Sequence, residues 1–390
     1  MNTSVVSRAF GRRAFLGVAV LAAVLSGCKP AGGGAAGDTI PIGEFASLTG
    51  SEAAFGRSSH NGTVMAIEEV NAAGGILGKK VTLITEDNQT KEGESATAVK
   101  KLISRDKVVA VLGEVASGRS LEAAEQCQKY QIPQVSPSST NPKVTERGDY
   151  IFRVCFIDPF QGTVMAKFAK DTLKARKVAV LTDVGAPYSV GLGTFFRQRF
   201  LQDGGEIVAE QKFTKDDKDF KAQLTAIKAA GPEAVFVPAY YSQVTLIVMQ
   251  ARELGMTIPF FGGDGWEAPE LLQGPGAKEA LEGCYFSTHF SPDQKSPRAA
   301  EFVTKYAAKH GAKPDAMAAL GYDSAMILCD AIRRAGSAEP AKIRGALAGL
   351  KDYEAVTGRI TLDENRNARK SAVIIGIKNG GFSYQETVNP

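Results

Sequence analysis

The sequence predicts an α/β protein of two lobes, each a doubly wound parallel sheet, and three observations carry that expectation. Short β-branched runs alternate with helix-spaced stretches along most of the chain, which implies parallel strands with helices on both faces. The runs fall into two series of similar length, which implies two lobes of similar topology. About 363 of the 390 residues follow residue 27, too many for one ordinary core and suited to about two.

The first series comprises "TIPIGEF" (39–45), "KVTLITE" (80–86), "VVAVLG" (108–113), "IPQVS" (132–136) and "YIFRV" (150–154). Between its members, "GTVMAIEEVNAAGG" (62–75) has Val64, Ile67 and Val70 at helical spacing, and its tandem glycines end the helix. The second series runs "KVAVLT" (177–182), "EIVAE" (206–210), "EAVFVP" (233–238), "PFFGG" (259–263) and "GCYFST" (283–288). Two further helical patterns follow at 297–311 and 315–336, and the chain ends in the strand-like "SAVIIGIKNGGFSY" (371–384). Such a tail implies that the chain crosses between lobes more than once, forming a hinge that bends without letting the lobes tumble freely. Open sheets bind ligands beyond the carboxyl ends of their strands, so the site is expected in the cleft between the lobes.

The N-terminus places positive charge first, then an apolar run from Ala14 to Leu25, then small residues before Cys28. The run is too short to span a bilayer and has the flanks of an export signal. Leu25-Ser26-Gly27-Cys28 resembles the lipobox of bacterial lipoproteins, in which the signal (1–27) is removed and Cys28 is acylated. Residues 28–37, rich in Gly and Ala, then serve as a flexible tether. Arg12-Arg13 fits a twin-arginine signal, and it fits equally the charged start of an ordinary secretory one. Either route puts the protein outside the cytoplasm, anchored by lipid to a bacterial membrane.

That location bears on "GEVASGRS" (113–120), which lies one residue from the phosphate-cradling loop of nucleotide hydrolases. The loop needs a Lys where Arg119 stands, and an exported protein meets no cytosolic ATP. What remains is a strand running through small residues into a helix whose free N–H groups favour an anion.

Loss of Arg8, Arg12 and Arg13 with the signal takes the formal charge from +4 to +1, which gives nucleic acid no basic surface to bind. Cys127, Cys155, Cys284 and Cys329 are widely spaced and contain no C-x-x-C pair, so they read as buried thiols with at most one or two bridges. His60, His289 and His310 show no ligand spacing and read as surface or loop residues, and no metal or cofactor is expected. Nor is an enzyme: "GLGTFF" (191–196) is an incomplete dinucleotide fingerprint and no nucleophile elbow occurs.

The fragments "ASLTGSEAAFG" (46–56), "TNPKVTERGDYIFRV" (140–154), "QARELGMTIPFFGGDG" (250–265) and "AALGYDSAMIL" (318–328) occur in an order and spacing that resembles the branched-chain amino-acid-binding proteins of ABC importers. These are type I periplasmic binding proteins, and the likeness spans residues 38–390. It implies two lobes joined by a three-strand hinge, with 38–155 and 289–354 in lobe one and 156–288 and 355–390 in lobe two. It implies an ABC permease as partner and a free amino acid as ligand, branched-chain, apolar or aromatic. A small amide or an aromatic acid, or hand-over of the ligand to a sensory receptor, stays open as an alternative.

The resemblance also assigns residues. Ser117 matches a serine whose hydroxyl meets the ligand carboxylate, and Ser138 and Thr140 match positions that supply a carbonyl and a hydroxyl. Asp264 matches the acid facing the ligand ammonium, and Tyr188 and Tyr240 match tyrosines that close over the ligand. Phe55 matches an aromatic wall of the side-chain pocket, with Tyr322 and Trp266 as further walls. Ser117 and Thr140 also fit a helix cap and a turn, Asp264 a turn aspartate, and the aromatics a core. Ala116 stands where several relatives carry a cysteine, so their lobe-one disulfide is expected to be missing. Arg119 fits either a solvated first-turn residue or a charge that selects acidic ligands.

Overall fold

The computed structural model describes residues 39–390, so the expected export signal, Cys28 and the expected tether lie outside the described residues. The first series forms five strands: β1 (Thr39–Ala46), β2 (Lys80–Asp87), β3 (Ala110–Leu112), β4 (Gln134–Ser136) and β5 (Ile151–Arg153). They make one all-parallel sheet in the order β2-β1-β3-β4-β5. Helices α1 (Ala53–Ala72), α2 (Glu94–Ser104), α3 (Ser117–Tyr130) and α4 (Lys143–Glu146) connect them. Strand β1 lies mid-sheet with Ile42 and Phe45 fully buried, which is why its sequence is apolar on both faces.

The chain then enters a second sheet through α5 (Asp158–Lys167), which continues in a π-helical turn at Phe168–Thr172. Five more strands follow: β6 (Lys177–Asp183), β7 (Glu206–Phe213), β8 (Ala234–Phe236), β9 (Phe260–Gly262) and β10 (Tyr285–Thr288). Helices α6 (Pro187–Gln202), α7 (Lys221–Ala229), α8 (Tyr241–Glu253) and α9 (Ala277–Leu281) alternate with them. After β10 the chain returns to the first lobe as α10 (Pro297–His310), α11 (Ala316–Ala335) and α12 (Pro340–Ala348). Ser296 and Asp315 cap α10 and α11 by accepting from Ala299 and Ala318 N–H, and Gly311 and Gly336 end them in the left-handed region.

Helix α11 packs along α1 with its backbone in near contact. A Cβ on Gly62 would lie 1.9 Å from the Ala318 carbonyl oxygen, and one on Gly321 would lie 2.1 Å from that of Ser59. Only glycine permits that approach, so the two helices lock as one layer beneath the first sheet.

Two features differ from the sequence expectation. First, a small antiparallel sheet of β11 (Tyr353–Ala355), β12 (Gly358–Leu362) and β13 (Ala368–Arg369) buries Ala355, Val356, Ile360, Leu362 and Ala368 in the core of the first lobe. The expected boundary at 354 therefore falls short, and the third crossing comes between β13 and β14 (Ala372–Lys378). Second, the strand-like tail is a hairpin of β14 and β15 (Gly381–Val388), turned by Asn379 and Gly380 with φ of 53° and 68°. Asn-Gly suits a turn with two positive φ values, so the hairpin adds an antiparallel edge and makes the second sheet mixed, β15-β14-β10-β9-β8-β6-β7.

The chain passes between the sheets three times: after β5, after β10 and before β14. The lobes are in contact, since Phe55, Val115 and Met317 of the first pack into the core of the second.

Candidate functional site

Ser117, Ser138, Thr140 and Asp264 all lie in the loops that leave the carboxyl ends of β3, β4 and β9, where the chain leaves the sheet toward the cleft. Ser117 opens α3, is buried, and its Oγ accepts from Asn141 N at 3.2 Å. The loop before it is fixed by Glu114, whose buried carboxylate accepts from Ser47 N at 2.8 Å and Ala116 N at 2.9 Å. Burial pushes the Glu114 carboxyl above its ordinary value, and those hydrogen bonds act against the shift.

The "SPSST" loop is held by a buried arginine. Arg153 at the end of β5 donates to the carbonyls of Ser139 and Pro142 and, at 3.1 Å, to Thr145 Oγ1. Burial lowers its pKa, and its hydrogen bonds to carbonyls take the place of water. The loop thereby presents Ser138 and Thr140, both buried, toward the second lobe.

Asp264 starts a 3-10 turn, Asp264–Trp266, after β9 and is 3% exposed. It accepts from Gln161 Nε2 at 2.9 Å, lies 3.0 Å from His289 Nε2, and receives Ser138 Oγ across the cleft at 3.4 Å. A Cβ on the preceding Gly263 would come within 2.6 Å of Tyr188 Oη, so glycine is what lets the turn sit this close.

The aromatic residues form the adjoining wall. Tyr188 Oη accepts from Gly265 N at 3.0 Å, and its ring stacks on Tyr240 at 5.1 Å and 8°. Phe55 from the first lobe meets Tyr240 edge-on at 5.6 Å and Tyr241 at 4.9 Å. Tyr241 also spans the cleft, its Oη accepting from Ala54 N at 3.2 Å. Of the two neighbouring tyrosines, Tyr240 is the one that lies over Tyr188.

Two expected walls are elsewhere. Trp266 points into the core of the second sheet, where its indole N–H donates to Val237 O at 2.8 Å, because a buried indole must find an acceptor. Tyr322 packs on Phe302 in the first core and its Oη donates to Glu69 Oε2 at 2.8 Å, on the α1 side of α11. Neither residue joins the Asp264 cluster.

Three residues missed by the sequence reading do join it. His289 is buried against Phe156 at 3.8 Å, not at the surface; burial lowers its pKa while Asp264 raises it. It directly follows β10, a strand-end position like that of Asp264 after β9, so reading strand ends alone would have marked it. Gln161 bridges Asp264 and Ser287, and Asp158 at the start of α5 lies beside Thr140. Both occupy the first turn of the crossover helix, for which no motif signals a role. Burial raises the Asp158 carboxyl to about 8, reinforced by the nearby charge of Asp264 and opposed by Thr140 and Arg153. Gln161 Oε1 and His289 Nδ1 make no hydrogen bond within the protein, and Thr140 Oγ1 and the Asp158 carboxyl have at most each other. So many uncommitted donors and acceptors at one buried point suit a polar ligand.

Ser138, His289 and Asp264 invite comparison with a hydrolytic triad. A triad histidine meets its serine with one ring nitrogen and its acid with the other. Here Nε2 lies 3.3 Å from Ser138 and 3.0 Å from Asp264, so the ring cannot relay a proton between them. Among the described residues no three His, Cys, Asp or Glu side chains gather as metal ligands, and all four cysteines are buried and unpaired.

Known proteins share this fold. An amino acid binding protein of Pseudomonas aeruginosa is 32% identical over 339 residues, covering 86% of this chain and 89% of that protein. The leucine binding protein LivK of Thermotoga maritima is 41% identical with a TM-score of 0.87, covering 90% of this chain and 99% of that one. The branched-chain amino acid transporter substrate binding protein LivJ of Streptococcus pneumoniae, solved in complex with isoleucine, is 36% identical with a TM-score of 0.85, covering 90% and 100%. Residues 39–381 match the periplasmic binding protein family model, and with two lobes, three crossings and strand-end residues meeting between them, the chain belongs to that family.

Proposed function

We propose that this protein is the extracytoplasmic solute-binding component of an ABC importer and that it encloses a free α-amino acid between its lobes. One observation carries the reading: Asp264 of the second lobe meets Ser138 of the first, next to Ser117 and Thr140. An acid on one side and hydroxyls with a helix N-terminus on the other match the ammonium and carboxylate of a zwitterion. Ser117 and Thr140 take the carboxylate, the Ser138 carbonyl and Asp264 take the ammonium, and Phe55, Tyr188 and Tyr240 enclose the aliphatic body. The relatives that bind leucine and isoleucine support a branched-chain amino acid as the first ligand to try. The protein acts by binding alone, is anchored through lipid on Cys28, and delivers its ligand to permease subunits.

A thermal-shift screen over amino acids, related carboxylic acids and amides tests this. A ligand that binds only the folded state raises the unfolding temperature, the more so the further its concentration exceeds its dissociation constant. Leucine, isoleucine or valine should raise it, and the same carbon skeletons without the amino group should not. A rise with the deaminated acids and none with any amino acid would contradict the reading.

A further inference from the structure

Both carboxylate oxygens of Asp264 are held. Gln161 Nε2 donates to Oδ1 at 2.9 Å, and His289 Nε2 lies 3.0 Å from Oδ2. Asp264 follows β9 and His289 follows β10, and these strands are neighbours in the second sheet, so the two residues stay together when the lobes part. Ser138 of the first lobe covers them, with Oγ 3.3 Å from the same ring nitrogen.

A carboxylate accepts and never donates, so Nε2 carries the proton of the imidazole. Nδ1 of the neutral ring is then a bare acceptor, and it has no partner in the protein. The side chain is fully buried, with its ring stacked on Phe156 at 3.8 Å. A second proton would go to Nδ1, where no acceptor stands. Burial accordingly holds the ring below its ordinary value of 6.5, aided by the charge of Lys370 on the third crossing and opposed by Asp264. Other titratable groups about the pair keep their protons between pH 5 and pH 7. Burial raises Asp158 to about 8 and Cys155 to about 12, puts Tyr188 well above 10, and lowers Lys370 only to about 8.

We propose that His289 is a positioning residue of the cleft: as the neutral Nε2–H tautomer it fixes the Asp264 carboxylate, opposite Gln161, for a ligand ammonium, and its protonation weakens binding. This rests on the reading of the cleft as an α-amino-acid site. With the ring neutral, an enclosed ammonium meets the full charge of Asp264. An imidazolium already balances that charge and leaves the ammonium unmatched in a site without water. Binding is therefore strongest above the pKa of His289 and is lost as pH falls through it.

Calorimetric titration with leucine, isoleucine and valine from pH 7 to pH 5 tests this. The affinity of the parent should fall by about fivefold or more over that range. Gln carries its amide nitrogen near the place of Nε2 and does not titrate, so His289→Gln should bind within about threefold of the parent at pH 7 and keep that affinity at pH 5. Asn carries its amide near the place of Nδ1, so His289→Asn should bind about tenfold or more weakly at pH 7, the scale of a lost hydrogen bond to a charged group. A flat parent profile would overturn the proposal, and it decides even where a replacement fails to fold. Gln and Asn variants weakened alike, or a Gln variant that follows the parent's pH profile, would also overturn it. Each of these outcomes leaves the amino-acid reading standing, whereas failure of the parent to bind any of the three amino acids would overturn both.

Discussion

Ser138 of the first lobe and Asp264 of the second lie 3.4 Å apart, Oγ to Oδ2, although 126 residues separate them in sequence. The contact joins the ends of β4 and β9 and exists only while the lobes are together. A ligand that touches both residues favours this arrangement by the contacts it gains there and lacks when the lobes part. Small-angle scattering of the ligand-free protein and of the protein with saturating amino acid should show a smaller radius of gyration in the second case. Identical profiles would mean that ligand selects no closed state.

Phe55 closes the same gap on the apolar side. Its ring sits edge-on to Tyr240 and Tyr241, so the first lobe contributes one aromatic to a wall otherwise built by the second. Phe55→Ala should weaken binding of an aliphatic amino acid by about tenfold or more, the scale of truncating a central aromatic anchor. Titration checks the affinity and circular dichroism checks the fold. Unchanged affinity would remove Phe55 from the pocket.

Asp158 gives the ligand-free protein a pH dependence. Its folded-state pKa, raised by burial to about 8, lies above its ordinary value of 3.8. The folded protein then keeps a proton that the unfolded chain has lost, so this group's contribution is full below about pH 4 and is lost as pH rises through about 8. Asp158→Asn removes the titration and keeps the shape. Between about pH 5 and pH 8 the unfolding temperature of the parent should fall more steeply than that of the variant; parallel curves would show that Asp158 ionises freely.

The anchor is tested in cells. Cys28→Ser removes the thiol that would be acylated, and the variant should move from the membrane fraction to the soluble extract. Retention at the membrane would show that another segment holds the protein there.

The strand ends carry most of what the sequence reveals of the site. β-Branched runs mark where strands stop, and the polar residues that follow, Ser117, Ser138, Thr140 and Asp264, come together in the cleft because parallel sheets align their carboxyl ends. Side-chain direction is less legible. Trp266 lies two residues from Asp264, but a tight turn sends it to the opposite side, toward Val237. Tyr322 is on a helix buried on nearly every face, so its neighbours in sequence do not tell which face meets the cleft. His289 gave no signal as a lone imidazole, yet it directly follows the strand run that ends at Thr288, and position at a strand end would have marked it. The strands between 353 and 369 are short, and their place in the first lobe depends on contacts with distant residues rather than on local pattern.

The account turns on Asp264 as the partner of a ligand ammonium. A charge enclosed by two lobes loses its water and needs an opposite charge in contact, and removing one member of such a pair costs roughly 2–5 kcal/mol. Calorimetric titration of the parent and of Asp264→Asn with the amino acid that binds best is the direct measurement. The variant keeps the shape of the side chain and should bind about 30-fold or more weakly. If Asp264→Asn binds that amino acid as tightly as the parent does, the ammonium lies elsewhere and the pose is contradicted.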